Sequence, residues 1–150
     1  MNSRYFNEFN VGDTFKTRAA TLSESQIIDF AMMWDPQHMH IDKARSDKGP
    51  FGGLIASGFH TQNLSFRLFY DLGLLTESNI IGIGLDEIRW HKPVFINDTI
   101  HVKMKILETR LSKSKPDRGS LKWLMQSYNQ KDELVFSMTM DNIVSCTPIE

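Results

Sequence analysis

The sequence contains a single cysteine, Cys146, among its 150 residues. No intrachain disulfide can form, and this scarcity predicts a reducing, cytoplasmic setting. No apolar run approaches the roughly 20 residues of a membrane-spanning helix, and the first ten residues lack the apolar core of a signal peptide. Internal repeats, low-complexity tracts and linker-like segments are also missing. We therefore expect one domain over residues 1–150, long enough to bury a core.

An excess of charge of either sign is also missing. Seventeen basic and eighteen acidic side chains leave a formal net charge of −1. This balance gives no reason to expect nucleic acid or an anionic membrane as the main partner. A hydrophobic content of 41% and an aromatic content of 11% are typical of a soluble globular domain.

The first half of the chain contains two patterns that predict helices. Ser23 and Gln26 have the spacing of a capping box, and apolar residues at helical spacing follow as far as Trp34. A second helix is predicted from about Ser57 to Leu72. Because this helix is apolar on nearly all sides, we expect it to be buried all round.

The remaining segments predict strands. TFKTRAA is a candidate for a short first strand, and IIGIGLDEIRW is strand-like. TIHVKMKIL alternates apolar and polar side chains, as a half-buried strand does. LKWLMQSY and LVFSMTMDNIV flank NQKDE and read as a hairpin. The pattern predicts an α+β fold in which an antiparallel sheet covers one long helix.

The stretch DPQHMHID is the first candidate for chemistry. Its proline and its lack of an amphipathic period argue against a helix. In an extended chain, His38 and His40 would point the same way, and Asp35 or Asp42 could add a carboxylate. A divalent metal needs three or four ligands with supporting groups, which makes a metal site the weaker hypothesis. Two other interpretations of this stretch remain open. It is either a solvated loop whose aspartates cap turns, or it contains a general acid/base pair.

The second candidate is GGLIASG, which precedes the long predicted helix. Small residues allow another group to approach the backbone closely. The first turn of a helix presents unpaired N–H groups and a favourable dipole, which together can hold a developing oxyanion. Alternatively, Gly52 and Gly53 only form a turn, and Ser57 is only an N-cap.

These two stretches together resemble a known family. FAMMWDPQHMHIDKARSDKGPFGGLIASGFHT resembles the hydratase signature of the MaoC-like dehydratases, which include (R)-specific enoyl-CoA hydratases. Asp35, His40 and Asp42 fit the spacing of that signature, and FGGLIASG fits its glycine-rich segment. IRWHKPVFINDTI resembles a later strand and turn of the family, with Asn97 in place of a glycine. The chain departs from the family at Gln37 and His38, where asparagine and proline are common; these two positions shape the loop.

The resemblance implies a hotdog fold, an antiparallel sheet wrapped around one long helix. It implies water addition to a 2-enoyl-CoA to give an (R)-3-hydroxyacyl-CoA, or the reverse reaction, in a homodimer or higher homo-oligomer. No metal and no cofactor are implied; the coenzyme A thioester is the substrate. Asp35 would act as base, and His40 would orient the water and return the proton. The Gly58 amide would bind the thioester oxygen, with Ser57 and Gly53 lining the substrate site.

Two other functions share this fold. Hotdog thioesterases typically place a carboxylate on the central helix, whereas no acidic residue follows Gly58 before Asp71. A non-catalytic acyl-CoA-binding module is the third possibility, although the intact Asp35 and His40 spacing argues against it.

Several other side chains have structural interpretations. We expect His60 to be a packed and hydrogen-bonded core histidine rather than a pocket residue, and His91 and His101 to be structural or solvent-facing. Trp34 fits either core packing or an acyl-pocket wall, and Asp42 is expected to hydrogen-bond the loop backbone. The basic residues of one polar loop are expected to be solvated, with contact to coenzyme A phosphates as the alternative; they are Lys113, Lys115 and Arg118.

Overall fold

A computed structural model describes residues 2–148. Its helices are α1 Glu24–Trp34, α2 His38–Ile41, α3 Lys43–Asp47 and α4 Gly58–Tyr70, with a 3-10 turn at Phe6–Glu8. Its strands are β1 Thr14–Lys16, β2 Ala20–Thr21, β3 Asn79–Trp90, β4 Thr99–Leu111, β5 Arg118–Tyr128 and β6 Leu134–Ser145. None of these helices is both long and apolar enough to cross a membrane.

The strands form one six-stranded antiparallel sheet in the order β1-β4-β5-β6-β3, and β2 also pairs with β4. The alternation predicted for β4 is confirmed, since its four inward side chains are fully buried: Ile100, Val102, Met104 and Ile106. The strand pairing of β5 with β6 confirms the predicted hairpin. Within residues 2–148, β3 pairs with β6 alone, so this 12-residue strand forms one edge of the sheet.

Helix α4 packs against the middle of the sheet. The Phe69 and Trp123 rings lie with centroids 4.9 Å apart, and the Ser65 and Ser127 hydroxyls hydrogen-bond at 2.6 Å. An antiparallel sheet packed on one long helix is the architecture expected from the sequence, so the α+β prediction is confirmed.

The prediction that α4 is buried all round is wrong. The helix buries one face against the sheet, including Ser65 and Phe69. Phe59, Phe66 and Tyr70 lie on the other side and are exposed in the single chain. Helical spacing located the helix but did not indicate which apolar side chains the chain itself would cover.

The turn after β3 keeps the backbone shape that the family pattern requires. Asn97 stands where that pattern has glycine, and its φ is +69°, in the left-handed region. Asparagine tolerates this region better than most residues. The substitution is therefore compatible with the turn.

Candidate active site

Asp35 is the C-cap residue of α1, so the end of this helix determines its position. The capping box predicted for this helix is present, since the Ser23 hydroxyl accepts from the Gln26 N–H at 3.2 Å and the Gln26 side chain accepts from the Ser23 N–H at 3.0 Å. Pro36 disfavours helical geometry at the residue before it, and Asp35 is accordingly outside the helical region, with φ −156° and ψ 73°. The helix therefore ends where the carboxylate leaves it.

His40 lies on the short helix α2, so the expectation that this stretch is not helical is wrong. The single turn of α2 directs the His40 side chain towards the interior, where it is only 7% exposed. The same turn leaves His38 exposed. The two histidines therefore do not face a common site. The His40 Nδ1 lies 2.7 Å from the Ile55 carbonyl oxygen, which can only accept, so Nδ1 carries the hydrogen. In the neutral ring, Nε2 is then a free acceptor.

The two predicted catalytic side chains meet. His40 Nε2 lies 3.4 Å from Asp35 Oδ2, and the Asp35 side chain is 11% exposed. Ser57 is fully buried, and its hydroxyl donates to the same oxygen at 2.6 Å. The Gln37 amide nitrogen donates to the other oxygen, Oδ1, at 2.7 Å. The carboxylate is thus held by two donors with an imidazole beside it.

These contacts determine the charge of Asp35. Burial raises the pKa of this carboxyl, but the hydrogen bonds from Ser57 and Gln37 and the positive charge available on His40 lower it by more. The net result is a pKa below the ordinary aspartate value. Asp35 is therefore a carboxylate at neutral pH.

The first turn of α4 leaves one amide free. The Ser57 hydroxyl caps the helix by accepting from the Phe59 N–H at 3.2 Å, and the Ser57 carbonyl accepts from His60 and Thr61 at 3.0 and 3.1 Å. The Gly58 N–H has no acceptor within residues 2–148. It combines an unpaired donor with the positive end of the helix dipole, as an oxyanion site requires.

A cavity of about 260 Å³ opens beside this amide. His40 and Gly58 line it, and the remaining lining residues are Phe51, Ile55, Ala56, Thr61, Trp90, His91, Lys92, Pro93 and Val94. Asp35 and Ser57 do not line the cavity themselves but contact or adjoin residues that do. Gly53 is likewise not among the residues that line this cavity, and the nearest atom to a Cβ placed on it belongs to the Phe95 ring, 3.8 Å away.

The sequence predicts no functional role for Trp90 or Gln37. The Trp90 indole N–H donates to the Gly58 carbonyl at 2.9 Å, although 32 residues separate them. Gly58 itself carried a signal, since a glycine at a helix start indicates that some group approaches closely. Nothing in the sequence identified that group as Trp90. For Gln37, the only signal was its departure from the family pattern.

The other histidines lie around the site in different ways. His60 stacks on Phe30, with ring centroids 4.6 Å apart, and burial lowers its pKa. This contact agrees with the packing part of the prediction, but the hydrogen-bonded part is wrong for Nδ1, which is buried and has no hydrogen-bond partner within residues 2–148. His91 follows β3, lines the cavity and hydrogen-bonds the Ser137 hydroxyl at 2.7 Å. His101 lies on β4 and stacks on Tyr128, as a structural role predicts.

Two further predictions have clear outcomes. Core packing of Trp34 is wrong, since this residue is 69% exposed, and Trp34 does not line the cavity either. Asp42 accepts from the Arg45 N–H at 3.0 Å and caps α3, which confirms its backbone role.

The basic loop lies far from the cavity. It connects β4 to β5, at the end of the sheet where Arg118 pairs with Ser145. Trp90 pairs with Phe136 at the opposite end. Contact between this loop and a ligand in the cavity of the same chain is therefore not supported.

Similarity to known proteins identifies the family of this chain. The family model described as MaoC like domain matches residues 7–121. The uncharacterized protein YdeM of Bacillus subtilis is 35% identical over 129 residues, which span 86% of this chain and 90% of that protein. The 3-hydroxyacyl-thioester dehydratase Z of Mycobacterium tuberculosis is 29% identical over 89 residues, covering 58% of this chain and 59% of that protein.

Solved structures agree with this result. The MaoC-like dehydratase from Rhodospirillum rubrum superposes with a TM-score of 0.89 at 32% identity, covering 98% of this chain and all of that one. A Mycobacterium tuberculosis protein described as having a double hotdog fold gives a TM-score of 0.83 at 17% identity, over 99% of this chain and 46% of that one. The second likeness shows the fold alone. The chain has the hotdog fold and belongs to the MaoC-like dehydratase family.

Proposed function

We propose that this protein is a hydro-lyase that adds water to the double bond of a 2-enoyl-CoA to give an (R)-3-hydroxyacyl-CoA, or catalyses the reverse dehydration. The observation that carries this proposal is the cluster of Asp35, His40 and Ser57 beside the free Gly58 amide. The name of the dehydratase relative, a 3-hydroxyacyl-thioester enzyme, supports the substrate class.

The Asp35 carboxylate and the His40 Nε2 lone pair are two acceptors that face each other at 3.4 Å. A water that donates one hydrogen to each relieves their repulsion and presents its own lone pairs to a substrate. Both oxygens of Asp35 already accept hydrogen bonds, whereas the His40 Nε2 has no hydrogen-bond donor among the described residues. We therefore assign proton acceptance to His40 and imidazolium stabilisation to Asp35. This assignment reverses the division of roles that the family resemblance implied.

The reaction then balances with protein groups alone. The water oxygen bonds to the β-carbon while His40 takes its proton, and the π electrons move to form an enolate on the thioester. The Gly58 N–H stabilises the negative oxygen. The enolate collapses as its α-carbon takes the proton back from His40. No metal or cofactor enters this scheme, and we propose none.

The carrier and the assembly belong to the same proposal. We propose an acyl-CoA as the substrate and a homodimer as the smallest assembly, with no role for nucleic acid or membrane. The edge strand β3 exposes Ile81, Ile83 and Leu85, and α4 exposes Phe66 and Tyr70 nearby. A long, apolar, unpaired edge is normally covered in native proteins, and a second copy can cover it. The single cysteine supports a cytoplasmic location.

Thioester hydrolysis is less well supported. No carboxylate lies on α4, and Asp71 at its end is held by Arg18 and Arg67 at 3.0 and 2.9 Å, away from the cavity. A binding module without catalysis would not need an ionised carboxylate beside a free imidazole nitrogen.

A panel of enoyl-CoA esters of increasing chain length tests the proposal. Hydration removes the conjugated thioester absorbance, whereas hydrolysis releases a free thiol. We expect the first signal without the second. Thiol release would favour a thioesterase, and tight binding without either signal would favour a binding module.

A further inference from the structure

Trp90 contacts Gly58 in two ways. A Cβ built on Gly58 would lie 2.6 Å from the indole Cε2 and Nε1 atoms, so the ring lies directly against the glycine. The indole N–H also donates to the Gly58 carbonyl at 2.9 Å. One side chain thus restrains both the α-carbon and the carbonyl of the residue whose amide is free.

Trp90 is itself anchored to the sheet. It is the last residue of β3 and pairs across the sheet with Phe136, which is fully buried. The two rings lie 6.2 Å apart, and the Phe59 ring meets the indole edge-on at 6.1 Å. The indole therefore connects the rigid sheet to the first turn of α4.

The other side of the Gly58 amide is held by different contacts. This amide belongs to the peptide that follows Ser57, and the Ser57 hydroxyl is fixed by Asp35 at 2.6 Å. Glycine has the widest backbone freedom of any residue. An oxyanion donor must point at the reacting oxygen from about 2.7–3.1 Å. On the Gly58 side, the first turn of α4 and the Phe59 N–H bond to the Ser57 hydroxyl restrain the backbone, and Trp90 adds a side-chain contact and a hydrogen bond at Gly58 itself.

We propose that Trp90 is a positioning residue that orients the Gly58 amide for oxyanion stabilisation. The inference rests on the proposed hydration chemistry. An oxyanion donor stabilises the transition state, in which negative charge has developed, more than the bound substrate. Misorienting this donor should therefore lower kcat more than it changes KM. Complete loss of one such donor costs about 10²–10³ in kcat. For a misdirected donor we expect a loss of about tenfold to a hundredfold.

The test compares Trp90→Phe with Trp34→Phe. The first keeps an aromatic ring but loses the N–H bond to Gly58. The second removes an indole N–H that donates to no group within residues 2–148, from a residue outside the cavity. The readouts are kcat and KM for crotonyl-CoA, the melting temperature, and the ultraviolet absorbance of the enolate formed by bound acetoacetyl-CoA at fixed pH. Trp90→Tyr serves as the second variant if Trp90→Phe does not fold.

We expect Trp90→Phe to lower kcat and the enolate fraction, with KM changed less than kcat, while Trp34→Phe matches the wild type. A Trp90 variant with wild-type kcat and wild-type enolate fraction would overturn the proposal. So would a variant in which only the melting temperature falls. If the wild type forms the enolate but hydrates no enoyl-CoA, the proposed function fails separately, and a lower enolate fraction in Trp90→Phe still supports the positioning role. A wild type that neither hydrates nor forms the enolate overturns both.

Discussion

Asp35 keeps its negative charge although it is largely buried, because two side chains donate to it and an imidazole lies beside it. Asp35→Asn keeps the shape of this side chain but removes the charge that stabilises a protonated His40. We expect kcat for hydration to fall by about 10²–10⁴, the range associated with a general base or acid. The exposed Asp29→Asn on the same helix is the control for loss of a carboxylate. An Asp35→Asn enzyme that keeps more than about a tenth of the wild-type rate would rule out the role of this charge in stabilising the protonated His40.

The pKa of Asp35 depends in part on Gln37, an exposed residue whose amide reaches Oδ1. Gln37→Leu removes a donor that favours the charged form, so the pKa of Asp35 rises. Because the carboxylate is the active form of Asp35, the part of the acid limb of the kcat/KM profile that Asp35 contributes moves to higher pH. A pH–rate profile that superposes on that of the wild type would contradict this prediction.

The Gln37→Leu change should also lower the free energy of unfolding near neutral pH. A folded pKa below the ordinary value of 3.8 contributes stability above that pH, and this stability is lost as pH falls through the folded pKa. The wild type should therefore exceed Gln37→Leu in unfolding free energy near neutral pH. The difference should shrink in acid, as denaturant titrations at several pH values would show.

At the scale of elements, local signals were sufficient where neighbouring residues decide the structure. Ser23 and Gln26 marked the start of α1, and the alternation of β4 marked its buried face. Local signals failed at His38, because a single helical turn after a proline has no periodicity to detect. They also failed to assign the exposed face of α4, where Phe59 and Phe66 are apolar but uncovered.

In the candidate site too, the sequence predicted some features and not others. The spacing of Asp35 and His40 and the glycine before α4 predicted which side chains to examine. The contact between Gly58 and Trp90 was not predictable, because it depends on how the end of β3 meets the start of α4. Gly53 belongs to the same sequence motif as Gly58, yet it lies outside the cavity.

A substitution at Gly58, the first residue of α4, tests the contact between Gly58 and Trp90 directly. In Gly58→Ala, the new methyl group would lie 2.6 Å from the Trp90 ring, so the ring or the helix start must shift. We expect a loss of about 1–3 kcal/mol in unfolding free energy, as for other overpacked sites, together with a fall in kcat. Gly53→Ala adds a methyl whose nearest neighbour is the Phe95 ring at 3.8 Å, so both quantities should be kept. An equal fall in kcat for Gly53→Ala would restore its assignment to the substrate site.

At the scale of the whole molecule, the exposed edge of the sheet predicts a homodimer. Light scattering should show twice the chain mass at micromolar concentration, because β3 and the exposed face of α4 leave apolar surface uncovered. Ile83→Glu places a charge on this edge and should shift the equilibrium towards monomer, whereas Lys113→Glu on the distant loop should not. A wild-type chain that is monomeric under these conditions would contradict the prediction.

The central claim is that one water, held by Asp35 and His40, attacks one face of a substrate whose thioester oxygen is fixed at Gly58. With both ends held, the substrate cannot turn over, so the product must be a single enantiomer; the family resemblance indicates which one. The most direct measurement is hydration of crotonyl-CoA by the wild-type protein, with the product resolved by enantiospecific dehydrogenases. The account predicts only (R)-3-hydroxybutyryl-CoA, and a racemic product, or no hydration of this or any longer enoyl-CoA, would contradict it.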